Sequence, residues 1–109
     1  IPQHPFFAFC GIGEPENFLE SLKDLGIKIC GKIFFRDHQN YNNKIINTLI
    51  NRINILGCNS LVTTEKDYVK LPQNFIDAFD IYIVRINVEF EDENLIIKSM
   101  LKLFNFNPY

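Results

Sequence analysis

Three short stretches of this sequence hold side chains whose types and spacing suit chemistry: Gly11-Ile12-Gly13-Glu14-Pro15, Asp37-His38-Gln39-Asn40-Tyr41 and Thr63-Thr64-Glu65-Lys66-Asp67. An imidazole beside a carboxylate, as in Asp37-His38, is suited to taking up and returning a proton near neutral pH. The same pair also reads as a polar turn in which Asp37 caps and His38 is solvated. Gly11 and Gly13 allow a tight turn and close approach of backbone to a ligand, and Pro15 fits the first position of a helix with free N–H groups at its start. Neither the P-loop spacing nor the dinucleotide-binding glycine pattern is present, so a plain strand-to-helix turn accounts for the glycines as well. Thr64 and Asp67 fit a helix capping box, which explains two residues structurally. Lys66 is placed either to meet a phosphate or to be solvated.

These residues need a scaffold, and the hydrophobic pattern supplies one. Phe6 to Cys10 is a continuous apolar run, as expected of a strand buried on both faces. A helix carrying Phe18, Leu19, Leu22 and Leu25 on one face follows and stops at Gly26. Ile27 to Phe35 reads as a second strand, and Arg36 to Asn43 as a polar loop. Ile45, Ile46, Leu49, Ile50, Ile53 and Leu56 form the stripe of a second helix ended by Gly57. Ser60 to Thr63 is a third strand, and a short helix from about Glu65 to Leu71 is stopped by Pro72. Ile81 to Phe90 forms the longest strand, half-exposed in its later part as near a sheet edge, and a helix from about Asp92 to Phe104 closes the chain. Alternating strands and helices predict an α/β fold with a mostly parallel sheet, whose strand carboxyl ends gather all three stretches.

Composition narrows the function classes. With 47% apolar and 22% charged residues the chain suits a packed domain rather than disorder, and eleven Phe provide core bulk. A formal charge of -2 offers no basic face, which argues against a nucleic-acid partner. Cys10, Cys30 and Cys58 are odd in number and widely spaced with no C-x-x-C pair, so the expectation is buried free thiols in a reducing compartment, with neither zinc site nor disulfide. No apolar run approaches the ~20 residues that span a bilayer, and no signal-peptide pattern opens the chain. Ile1-Pro2 leads into a core strand almost at once and without Met, so residues 1–109 are expected to be a single α/β domain or the C-terminal portion of a larger protein with further strands upstream.

Taken together, the strings resemble the tetraacyldisaccharide 4'-kinase family of lipid A biosynthesis. Ala8 to Phe18 is similar to that family's A-F-x-G-I-G-x-P-x-x-F segment, and Phe35 to Tyr41 to its F-x-D-H-H-x-Y loop. Leu61 to Leu71 is similar to its L-V-T-T-E-K-D-x-V-K-L block. The likeness covers most of Phe6 to Leu71 and is only general beyond it. Gln39 stands where the family usually has a second His, and Arg36 where a small residue or Pro is common. A glutamine hydrogen-bonds but does not titrate.

The resemblance implies a P-loop-type kinase that moves the ATP γ-phosphoryl group to the 4'-hydroxyl of a tetraacylated disaccharide 1-phosphate, using Mg²⁺. It implies a cytoplasmic location, peripheral to the inner face of the bacterial inner membrane. His38, oriented by Asp37, would be catalytic, working with an Asp of the N-terminal part. Tyr41, Gly11, Gly13, Thr64, Glu65, Lys66 and Asp67 would line the substrate side. The P-loop, the Mg²⁺-binding acids and the membrane-associating helix belong to an N-terminal part that these 109 residues do not include. The partners implied are the lipid A disaccharide precursor and, through that N-terminal part, the membrane surface. The alternative is a catalytically inactive remnant or stand-alone α/β interaction module; this chain alone is expected to be inactive for lack of a P-loop.

Overall fold

The computed structural model describes residues 4–84. The expected strand beyond Val84 and the helix from Asp92 to Phe104 lie outside them. The elements run β1 (Phe6–Cys10), α1 (Pro15–Asp24), β2 (Ile29–Phe34), α2 (Asn43–Leu56), β3 (Ser60–Thr64), α3 (Glu65–Tyr68), α4 (Gln73–Ala78) and β4 (Asp80–Val84). The four strands pair in parallel in the order β2-β1-β3-β4. The α/β architecture expected from the alternating pattern is therefore present.

Local chemistry sets the boundaries. Pro15 opens α1, and Gly26 at φ +76° follows it, where the Ile27 N–H bonds back to the Leu22 carbonyl at 2.9 Å. Residues with positive φ favour glycine, and this closing bond uses the amide of Ile27. β2 consequently starts at Ile29 rather than at Ile27, and it ends at Phe34. The Asn42 side chain accepts the Ile45 N–H at 3.0 Å to cap α2, and Gly57 at φ +71° ends it. The sequence reading did not assign α4, a six-residue helix after Pro72 that buries Phe75 edge-on against Phe9. Its turn is too short for a periodic signal.

β1 lies inside the sheet and is buried along its whole length. Alternation divides its side chains between two cores. Phe7 and Phe9 join Ile46, Leu49, Ile53, Leu61 and Phe75 under α2 and α4, while Phe6, Ala8 and Cys10 join Phe18, Leu22, Val62 and Val84 under α1. A strand covered on both faces needs an unbroken apolar run, which is what residues 6–10 are.

The cysteine expectation is corrected in part. Cys30 and Cys58 form a disulfide, with Cα atoms 6.4 Å apart and a sequence separation of 28. Cys30 sits early in β2 and Cys58 just before β3, so the parallel crossover through α2 returns the chain to the same end of the sheet, within bridging reach. Cys10 is a buried free thiol, as expected. Burial, with the Asp67 carboxylate nearby, pushes its pKa up to about 12.

Candidate functional site

Parallel strands place the segments after β1, β2 and β3 at one edge of the sheet. There the Gly11–Pro15 turn, the Arg36–Asn42 loop and the start of α3 meet in two levels, a buried floor and an exposed rim.

The floor is built around Asp67, which is fully buried. Its Oδ1 accepts the Gly11 N–H at 2.9 Å and the Tyr41 hydroxyl at 2.8 Å, and its Oδ2 accepts the Thr64 hydroxyl. Burying a carboxylate is costly unless donors replace the lost water, and three do so here. Thr64 Oγ1 also accepts the Asp67 N–H at 3.1 Å, so the expected cap on α3 exists from the Thr64 side. Through Oδ1 the Asp67 carboxylate also reaches two other segments. Tyr41 is held edge-on to Phe9 and Phe35. Burial, then the charge and hydrogen bond of Asp67, push the Tyr41 pKa upward, which keeps its hydroxyl a donor. Tyr41, Thr64 and Asp67 thus stand beneath the surface with their polar atoms engaged by one another.

The rim is built around Asp37. Its Oδ1 accepts the His38 N–H at 3.0 Å and lies 3.4 Å from Lys66 Nζ, while its Oδ2 lies 3.6 Å from His38 Nε2. The side chains of His38, Lys66 and Asp37 are 74%, 47% and 42% exposed, so all three can meet a ligand from solvent. Partial desolvation of Asp37 is outweighed by the Lys66 hydrogen bond, the charges of His38 and Lys66 and the His38 N–H, which hold its carboxyl below the usual aspartate value. Gly13 abuts this group, for a Cβ there would lie 3.4 Å from Asp37 Oδ2. Glu65 is half-buried at the start of α3.

Rim and floor are joined at Gly11. Its carbonyl accepts the His38 N–H at 3.2 Å, and a Cβ on Gly11 would stand 2.8 Å from Gln39 Cβ and 3.0 Å from the Arg36 carbonyl oxygen. The loop is seated directly on the glycine, which has no room for a side chain. His38 itself takes φ +62°, an uncommon conformation for a residue with a Cβ. The Lys66–Asp37 contact, the seating of Gln39 on Gly11, and Lys70 Nζ reaching the Gln39 carbonyl at 3.5 Å were not foreseen from sequence. They join residues about 30 apart, and no local pattern encodes such pairs.

An exposed imidazole beside a carboxylate can take a proton from a hydroxyl, and Lys66 adds positive charge next to it. Among the described residues no three His, Cys, Asp or Glu side chains group to hold a metal ion. No P-loop spacing occurs in the sequence. The described residues therefore do not fit a Mg²⁺ or triphosphate cradle by themselves.

Comparison with known proteins adds an independent line. The sequence model of the tetraacyldisaccharide-1-P 4'-kinase family matches residues 1–105. A tetraacyldisaccharide 4'-kinase of Chlorobium limicola is 38% identical over 106 residues, covering 93% of this chain and 30% of the relative. Those of Elusimicrobium minutum and Chlorobaculum tepidum are 36% and 48% identical over 84 and 64 residues, covering 75% and 59% of this chain but 22% and 18% of the relatives. The chain spans less than a third of the length of these relatives. No solved structure matches it.

Proposed function

The chain belongs to the tetraacyldisaccharide-1-P 4'-kinase family, and from that premise we propose that it forms the acceptor side of a lipid kinase. The substrates are ATP and tetraacyldisaccharide 1-phosphate, and the γ-phosphoryl group moves to the 4'-hydroxyl. ATP and Mg²⁺ are held chiefly by parts of the protein outside this chain, as is the surface that meets the inner membrane on its cytoplasmic side.

His38 accepts the proton of the attacking hydroxyl as its oxygen closes on phosphorus. Asp37 steadies the imidazole, holding the residue by its backbone N–H and facing Nε2 at 3.6 Å. Lys66 pairs with the Asp37 carboxylate and adds positive charge where negative charge gathers in phosphoryl transfer. Gly13 leaves open the space beside Asp37 that a substituent would narrow. The observation that carries this reading is the convergence of the three stretches at one sheet edge, with the imidazole turned to solvent rather than used inside the fold.

His38→Ala in the full-length polypeptide tests it. The turnover number is expected to fall roughly 10²–10⁴-fold while the KM for ATP changes little, the range of general-base loss. An unchanged turnover number would reduce His38 to a loop residue and remove this assignment.

A further inference from the structure

We propose that Asp67 is a positioning residue that fixes where His38 stands, acting through Gly11 and Tyr41 without touching substrate. The inference deepens the kinase reading above and rests on it for its catalytic consequence, though not for its structural one.

The geometry argues against a cap as the whole role of Asp67. Capping α3 needs only an acceptor for the Asp67 N–H, and Thr64 Oγ1 supplies it. Besides the Thr64 hydroxyl, the carboxylate bonds residues 56 and 26 positions earlier, Gly11 and Tyr41, which bracket the His38 loop in space. Gly11 is gripped on both sides, its N–H by Asp67 and its carbonyl by the His38 N–H. Tyr41 pins the loop three residues after His38, its ring buried and its hydroxyl on the same Oδ1. Two routes therefore lead from one carboxylate oxygen to the backbone of His38.

His38 has reason to need them. A left-handed conformation is unfavourable for a non-glycine residue, and such residues persist where the surroundings over-determine them. The His38 side chain is mostly solvated, with its ring facing the exposed Asp37 carboxylate. The hold comes from the Gly11 carbonyl, the Asp37 carboxylate and the loop's seat on Gly11. Of these, Gly11 is positioned by Asp67.

Asp67→Ala and Tyr41→Phe in the full-length polypeptide test the proposal with two readouts, kinase kinetics and amide hydrogen exchange. In both variants turnover is expected to fall about tenfold or more at little-changed KM for ATP. Exchange protection of the Gly11 and His38 amides should drop by a similar factor, while that of the β1 and β3 core amides is kept. Asp67→Asn, which retains one acceptor oxygen, should recover part of both. Protection lost evenly across the sheet, or kept at Gly11 and His38, overturns the proposal. If Asp67→Ala does not fold, Tyr41→Phe decides alone, since it removes a single hydroxyl. A wild-type protein without kinase activity would sink the functional reading, whereas the exchange result would still decide the positioning role.

Discussion

The crossover from β2 through α2 to β3 is fastened at its two ends by different chemistry. At the amino end of the sheet a covalent bond, Cys30–Cys58, joins the start of β2 to the segment before β3. At the carboxyl end the same crossover is held by hydrogen bonds that converge on the Asp67 carboxylate, with charged side chains above it in solvent. One end is closed whatever the pH and opens only to reductant. The other depends on hydrogen-bond donors that three separate segments must deliver. The end that carries the proposed chemistry is the one held by reversible bonds, and it holds the left-handed His38 and the shifted pKa values of Asp37 and Tyr41.

The contrast is sharpest if the covalent end is cut. Cys30→Ser with Cys58→Ser, or reduction of the wild type, is expected to destabilise the domain by about 2–4 kcal/mol, as for loops of this size. The measurement is the denaturant midpoint with and without reductant, and an unchanged midpoint would show that the bridge does not stabilise the crossover. At the other end, Thr64→Val removes the cap and one donor to Asp67, for an expected loss of about 0.5–2 kcal/mol. Unaltered stability with reduced activity would place Thr64 in the site rather than in the floor.

The smallest effect belongs to the rim. Lys66→Ala should leave the unfolding midpoint at neutral pH nearly unchanged, since an exposed ion pair is weakened by water and salt. Its signature is in acid. The folded carboxyl of Asp37 sits below the ordinary aspartate value, so the stabilisation it contributes is present above that value and is lost as pH falls through the folded one. Removing Lys66 should move this acid limb upward in pH, read from urea midpoints between pH 2 and 5. A limb that stays in place would mean that Lys66 does not set the charge of Asp37.

How much of this was readable beforehand follows from the range of each interaction. The start of α1 and the ends of α1 and α2 were legible because Pro15, Gly26 and Gly57 act on their own neighbours. The Asn42 cap, and the end of α3 at Tyr68 rather than Leu71, were not. β1 was legible because a strand buried on both faces shows as an unbroken apolar run. The meeting of the three stretches followed from parallel topology alone. The Thr64–Asp67 pairing was visible as a capping pattern, but the destination of the carboxylate was not, since Gly11 lies 56 residues away. The disulfide escaped for the same reason, for nothing near Cys30 or Cys58 signals a partner 28 residues off. The depth of Tyr41 likewise depends on Phe9 and Phe35 closing over it from two strands' ends.

The bridge has one more consequence, for the chain seen as a closed ring. Residues 30–58 form a covalent loop, and the exposed Arg36 beside the His38 turn lies within it. Exposed loops are the preferred places for proteolytic nicking. A single tryptic cut after Arg36 would open the ring without releasing a fragment. The two pieces would run together on a gel until a reductant parted them.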